Sequence, residues 1–129
     1  MSKVKPIGWM AIFGDGIGNF IDGLSTGASI NQSVALGVTN AIAAWFGNIP
    51  QELGDFALLV RAGMTPFQAL FYNYMSGNAA YIGCAVGITF GENIRAARWI
   101  FSISAATTMY LGLAVLVIFI ALLYIKKIA

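Results

Sequence analysis

Apolar positions along the chain gather into four long runs separated by short polar or glycine-containing breaks. The runs cover about 8–30, 33–60, 66–90 and 97–125. At about 1.5 Å per residue, each can cross a hydrocarbon core of about 30 Å as an α-helix. The breaks carry helix-ending chemistry. Asn31-Gln32-Ser33 is a polar turn, with Ser33 placed to cap the second run. Arg61-Ala62-Gly63 closes that run with a glycine stop, and Thr65-Pro66 opens the third with a capping threonine and proline at the first helical position. Gly91-Glu92-Asn93 ends the third run.

The four runs differ in character. The last is almost unbroken in apolar residues from Tyr110 to Ile125 and reads as lipid-facing or packing surface. The third is crowded with small residues, and the spacing of Gly83 and Gly87 lets a neighbouring membrane helix approach closely. Along the first, Asp15, Asn19, Asp22, Thr26 and Ser29 share one helical face. Along the second, Asn48, Gln51, Glu52 and Asp55 fall within two turns, with Pro50 among them. A charged side chain at the bilayer centre costs about 2.5–3.5 kcal/mol on insertion scales, so Asp22 and Glu52 are expected to face each other or a wet cavity. Pro50 removes one intrahelical hydrogen bond and frees a carbonyl near residue 46. Carboxylates, amides and a freed carbonyl together suit a hard, oxygen-preferring cation. Ser25, Thr26, Ser29, Asn40 and Asn78 read singly as interhelical hydrogen-bonding groups.

Composition sets the solvent. Of 129 residues, 59% are hydrophobic and 9% charged, against about a quarter charged in a soluble domain. So little charge cannot cover a water-facing surface, and the chain reads as an all-α, polytopic membrane helical bundle forming a single transmembrane domain over 1–129, with lipid as its surroundings. A net charge of +2 gives no reason to expect a nucleic-acid partner. The first run is broken by Gly14, Asp15 and Gly16, which argues against a cleavable leader. Lys3, Lys5, Arg61, Lys126 and Lys127 fall on one side of a four-span bundle, and Arg95 and Arg98 on the other. The positive-inside rule then places both termini in the cytoplasm. Histidine is absent and Cys84 is the single cysteine, which reads as a small packing residue. No catalytic constellation accompanies the carboxylates, so an enzyme is not expected.

The polar stretches carry a resemblance. Gly18-Asn19-Phe20-Ile21-Asp22-Gly23 resembles the HNFxDG motif of the ZIP (Zrt/Irt-like) divalent-metal transporters. Gly47-Asn48-Ile49-Pro50-Gln51-Glu52-Leu53-Gly54-Asp55-Phe56 resembles the HEIPHELGDF motif of that family's large metal-uptake subfamily. Arg61 to Thr65, Gln68 to Asn73 and Trp99-Ile100-Phe101 are similar to the stretches downstream of that motif in family members, so the likeness runs in order over about 8–114. It implies an eight-helix fold of which these runs are the fourth to the seventh, with a cytoplasmic side before the fourth. It also implies a divalent cation, zinc by family, carried toward the cytoplasm through a site between the first two runs, with no resident cofactor. Position by position, the family's histidine before Asn-Phe is Gly18, and the residue opening its second motif is Gly47. The acidic residue after it is Asn48, and the second histidine is Gln51. Candidate metal ligands are therefore Asn19, Asp22, Asn48, Gln51, Glu52, Asp55 and, on the next run, Asn73. Asp22 is the principal one, and Glu52 is a ligand or proton acceptor. Because the losses fall on ligands, the alternative is a transport-incompetent relative serving as a structural or partner membrane subunit. A homodimer or a complementary membrane chain is expected to seal the open faces of the bundle.

Overall fold

The computed structural model describes residues 4–129; Lys3, counted in the charge asymmetry, lies outside them, as does the side chain of Val115. Among the described residues the secondary structure is entirely helical: α1 Pro6–Gln32, α2 Val34–Arg61, α3 Pro66–Gly77, α4 Ala79–Phe90 and α5 Ile94–Ile128. The breaks use the expected groups. The Ser33 hydroxyl accepts from the Leu36 amide at 3.4 Å. Thr65 caps α3 through its hydroxyl, Gln68 returns the bond to the Thr65 amide, and Pro66 follows as the first helical residue. Gly63 takes φ 105°, a left-handed conformation that glycine enters without steric cost.

The run expected as one helix over 66–90 is divided at Asn78. Ser76 Oγ donates back to the Asn73 carbonyl at 2.9 Å, Gly77 follows, and the Tyr81 amide bonds only three residues back, to Asn78. A serine–glycine pair that competes with the backbone ladder is a recognised cause of helix breaks. The fourth run is longer than its expected 97–125. Asn93 caps it by accepting from the Arg95 amide at 2.9 Å, which moves the start back to Ile94. At 35 residues α5 is about 50 Å long, more than a bilayer core requires. By length and composition it is the one helix among the described residues apolar enough throughout to cross a membrane. Pro50 lies inside a continuous α2.

α1 is the central element. It packs most extensively on α4, then on α2, and touches α3 and α5. The α1–α4 contact is backbone against backbone. A Cβ on Gly23 would run into the Ala80 carbonyl oxygen, and one on Gly27 into that of Cys84. From the other side, a Cβ on Gly83 would meet the Phe20 carbonyl and one on Gly87 the Leu24 carbonyl. The close approach expected at Gly83 and Gly87 is therefore present, and α1 supplies its own pair of glycines to match. At one end a small apolar cluster of Leu59, Met64 and Ala69 packs with Ala11, Ile12, Phe56 and Tyr72. The Lys5 amide bonds the Ala62 carbonyl there at 2.9 Å.

Large apolar side chains mostly face outward, among them Phe13, Ile17, Trp45, Phe46, Leu53 and Leu123. The interior is mostly glycine, alanine, serine, asparagine and one aspartate, with Leu59, Met64 and Ile100 as its larger apolar side chains. That inversion of the soluble pattern fits a bundle held by close packing and polar contacts while hydrocarbon covers the outside.

Candidate metal-pathway seam

Polar side chains line the contact between α1 and α2 as a ladder. Near one end, Asn40 of α2 donates to Ser25 Oγ and Thr26 Oγ1 of α1, each at 3.3 Å. Further along, Asn48 lies within side-chain hydrogen-bonding reach of Asp22. Asn19 then stands beside Glu52. Asp15 follows, with Gln51 at 3.5 Å and Asp55 within electrostatic range. Positions rise along α1 as they fall along α2, as antiparallel helices require. From Asp15 to Thr26 the ladder climbs about 16 Å, half of a hydrocarbon core.

Three helices converge at Asp15, which is 5% exposed. Its Oδ1 accepts from Asn19 Nδ2 at 3.1 Å and from Gln51 Nε2 at 3.5 Å. Its Oδ2 accepts from Ser76 Oγ of α3. Asn19 is equally buried. Its NH2 group has two hydrogens, and with one committed to Asp15 the other can serve Glu52, which also lies within reach of the Asn73 side chain. Asn73 Nδ2 further donates to the Glu52 carbonyl at 3.3 Å and so ties α3 to α2.

The candidate ligands thus divide into two levels. Asn19, Gln51, Glu52, Asp55 and Asn73 gather about Asp15, while Asp22 and Asn48 form a separate pair farther along α1. Asp22 and Glu52 each lie beside amides: Asn48 is within reach of Asp22, and Asn19 and Asn73 are within reach of Glu52. Asp15 is at the centre of this group without being one of the candidate ligands; it lies four residues before Asn19 on the same helical face.

Chemically, the seam offers carboxylate and amide oxygens and no nitrogen or sulfur ligand. Among the described residues no group of three or more His, Cys, Asp or Glu side chains is close enough to hold a metal ion. Amide oxygens would therefore have to complete any coordination shell. Among the same residues every buried side-chain nitrogen and oxygen has a hydrogen-bond partner. An arriving cation must displace a donor, and a hydrogen bond to a charged group is worth about 1.5–3 kcal/mol.

Comparison with known proteins yields a consistent set. The family model described as "ZIP Zinc transporter" matches residues 1–121. The zinc transporter foi of Drosophila melanogaster is 39% identical over 110 residues, covering 85% of this chain and 16% of its own length. Human zinc transporter ZIP6 is 43% identical over 113 residues, 85% of this chain and 15% of its own. Human metal cation symporter ZIP14 is 42% identical over 113 residues, 88% of this chain and 23% of its own. The chain thus spans less than a quarter of the length of these relatives. No solved structure matches it.

Proposed function

The chain belongs to the ZIP zinc transporter family, and we propose that its α1–α2 seam forms part of a path for a divalent metal ion across the membrane. The observation that carries this reading is the ladder itself: four carboxylates (Asp15, Asp22, Glu52 and Asp55) and four amides (Asn19, Asn40, Asn48 and Gln51) on facing helices, in a bundle whose outside is apolar. Asp22 is the principal ligand. Asn48, its partner, need only turn its amide about its last side-chain torsion to exchange a donated N–H for a ligating oxygen. Asn19, Gln51 and Asn73 are auxiliary oxygens, and Glu52 is a ligand or proton acceptor, with Asp55 behind it. Zinc is the cargo suggested by what the relatives are named for, although an all-oxygen shell favours harder ions such as manganese. The same reading makes residues 1–129 a single multi-pass transmembrane unit with both termini cytoplasmic and the ion moving toward that side. A homodimer or a complementary chain covers the faces of α1 and α2 left open by the other helices.

A second reading is favoured by one observation, the complete internal pairing of buried polar groups among the described residues. On it, the seam is interhelical glue and the chain is a structural or partner subunit without transport of its own. Calorimetric titration of the purified chain with zinc, manganese and cadmium, beside Asp22→Ala, separates the two. The first reading expects binding at micromolar affinity or better, on the order of the weaker natural sensor sites, and its loss in the variant. A folded, helical chain that takes up none of the three ions leaves the second.

A further inference from the structure

The role of Asp15 is set by its hydrogen-bond partners. A carboxylate accepts hydrogen bonds and donates none, so a primary amide that contacts Asp15 must present its NH2 end. Asn19 and Gln51 both do so, on the same oxygen, at 3.1 and 3.5 Å. Each amide carries its oxygen and nitrogen on opposite branches of one planar group. Anchoring the nitrogen at Asp15 therefore fixes the oxygen on the other branch.

We propose that Asp15 is a positioning residue for the metal path. Its carboxylate holds the amides of Asn19 and Gln51 with their NH2 groups turned inward, and leaves their oxygens as the ends a cation meets. The inference rests on the metal-path reading for its purpose, and on the hydrogen-bond geometry alone for its mechanism. Ser76 completes the arrangement from α3 by occupying the second oxygen of Asp15. That bond steadies the carboxylate without touching either amide. Asp15 itself is 5% exposed and enclosed by its three donors, so it acts through the amides and not as a ligand. An ordinary side chain of the same size, asparagine, keeps the volume but removes the rule, because an amide both donates and accepts. Either orientation of Asn19 and Gln51 is then tolerated.

Two variants in the full chain, reconstituted in lipid nanodiscs and checked for helicity, test this. Asp15→Asn should weaken manganese binding by about 10–100-fold, the range seen when a partner that orients a metal ligand is removed. Ser76→Ala, which leaves both amides anchored, should weaken it by about threefold or less. The side-chain amide 15N resonances of Asn19 and Gln51 give a readout that a loss of packing would not produce. They should shift in Asp15→Asn, stay near wild type in Ser76→Ala, and behave so with no metal present. Manganese affinity in Asp15→Asn within about twofold of wild type, or unshifted amide resonances in that variant, overturns the proposal. A wild-type chain that binds no manganese ends the metal-path reading, while the amide resonances still decide whether Asp15 orients the two side chains.

Discussion

Replacing Gly23 or Gly83 with alanine places a methyl group against backbone that has no rotamer to move. A Cβ on Gly23 lies 2.8 Å from the Ala80 carbonyl carbon and 2.9 Å from its Cα. One on Gly83 lies 3.0 Å from the Phe20 carbonyl carbon and from the Leu24 nitrogen, with the Phe20 oxygen nearer still. Ordinary contact begins at 3.4 Å, so α1 and α4 must part. A radial gap of about 0.5–1 Å forfeits a quarter to a half of each dispersion contact across the interface. Overpacking of this kind costs about 1–3 kcal/mol. Alanine returns up to about 1 kcal/mol through its higher helix propensity. The net expectation is a loss of about 1–2 kcal/mol for each substitution, with the pair less than additive because the first already separates the helices. Gly18 and Gly47 are also helical glycines, but a Cβ there has nothing within 4 Å. For them only the propensity term remains, and alanine should stabilise by up to about 1 kcal/mol. Equilibrium unfolding of the reconstituted chain, followed by steric trapping in lipid micelles, measures all four. Opposite signs at the two pairs of sites are required; if Gly23→Ala and Gly18→Ala agree within about 0.5 kcal/mol, the backbone-contact account is wrong.

Three further outcomes are expected. Gly18→His, Gly47→His and Gln51→His together should convert the seam to a nitrogen-containing site and tighten zinc binding by at least about tenfold, since zinc prefers imidazole to amide oxygen and the two glycine positions have room for a side chain; unchanged zinc affinity in calorimetry would contradict the placement of these positions on the seam. Thr65→Ala removes the hydroxyl from a reciprocal cap, and thermal unfolding in detergent should register a loss of about 1 kcal/mol. Asn31→Ala removes the side chain that bonds the Ile88 carbonyl near the end of α4. It should cost about 1 kcal/mol and raise hydrogen exchange over the last turn of α1 before it affects the Asp15 end; uniform exchange along α1 would count against a local clamp.

Much of the fold was legible because the signals were local. The caps at Ser33 and Thr65 and the stop at Gly63 each act through neighbours one turn away, so the order of the residues determines them, and the Gly83–Gly87 spacing marks a close-packing face whatever helix lies against it. What escaped was competition between local and non-local terms. The break at Asn78 follows Ser76, whose single hydroxyl hydrogen is shared between the Asn73 carbonyl in its own helix and Asp15 on another. A strong run of apolar and small residues gives no hint of the second bond. The candidate site also depends on the register between α1 and α2, which no single helix encodes. That register pairs Asp22 with Asn48 and brings Asp15 within range of Asp55.

The register also bears on how the carboxylates of this seam are accommodated in a bundle whose outside is apolar. A carboxylate with neither cation nor donor is costly in a medium that cannot solvate it. Here Asp15 has amide and hydroxyl donors from two other helices, Asp22 has the Asn48 amide within reach, and Glu52 has Asn19 and Asn73 beside it. Amides at 48 and 51 therefore compensate negative charge in the resting bundle. Such donors lower the cost of the empty seam and, by the same contacts, raise the barrier to filling it. Metal affinity and resting stability should consequently trade against each other across variants of Asn48 and Gln51. Asn48→Ala is the informative case. It removes a donor from Asp22 and should destabilise the empty chain by about 1–3 kcal/mol. Saturating manganese should recover part of that loss if a cation can take the place of the amide, and none of it if the seam is only structural. Unfolding of Asn48→Ala measured with and without manganese therefore separates the two functional readings without a transport assay.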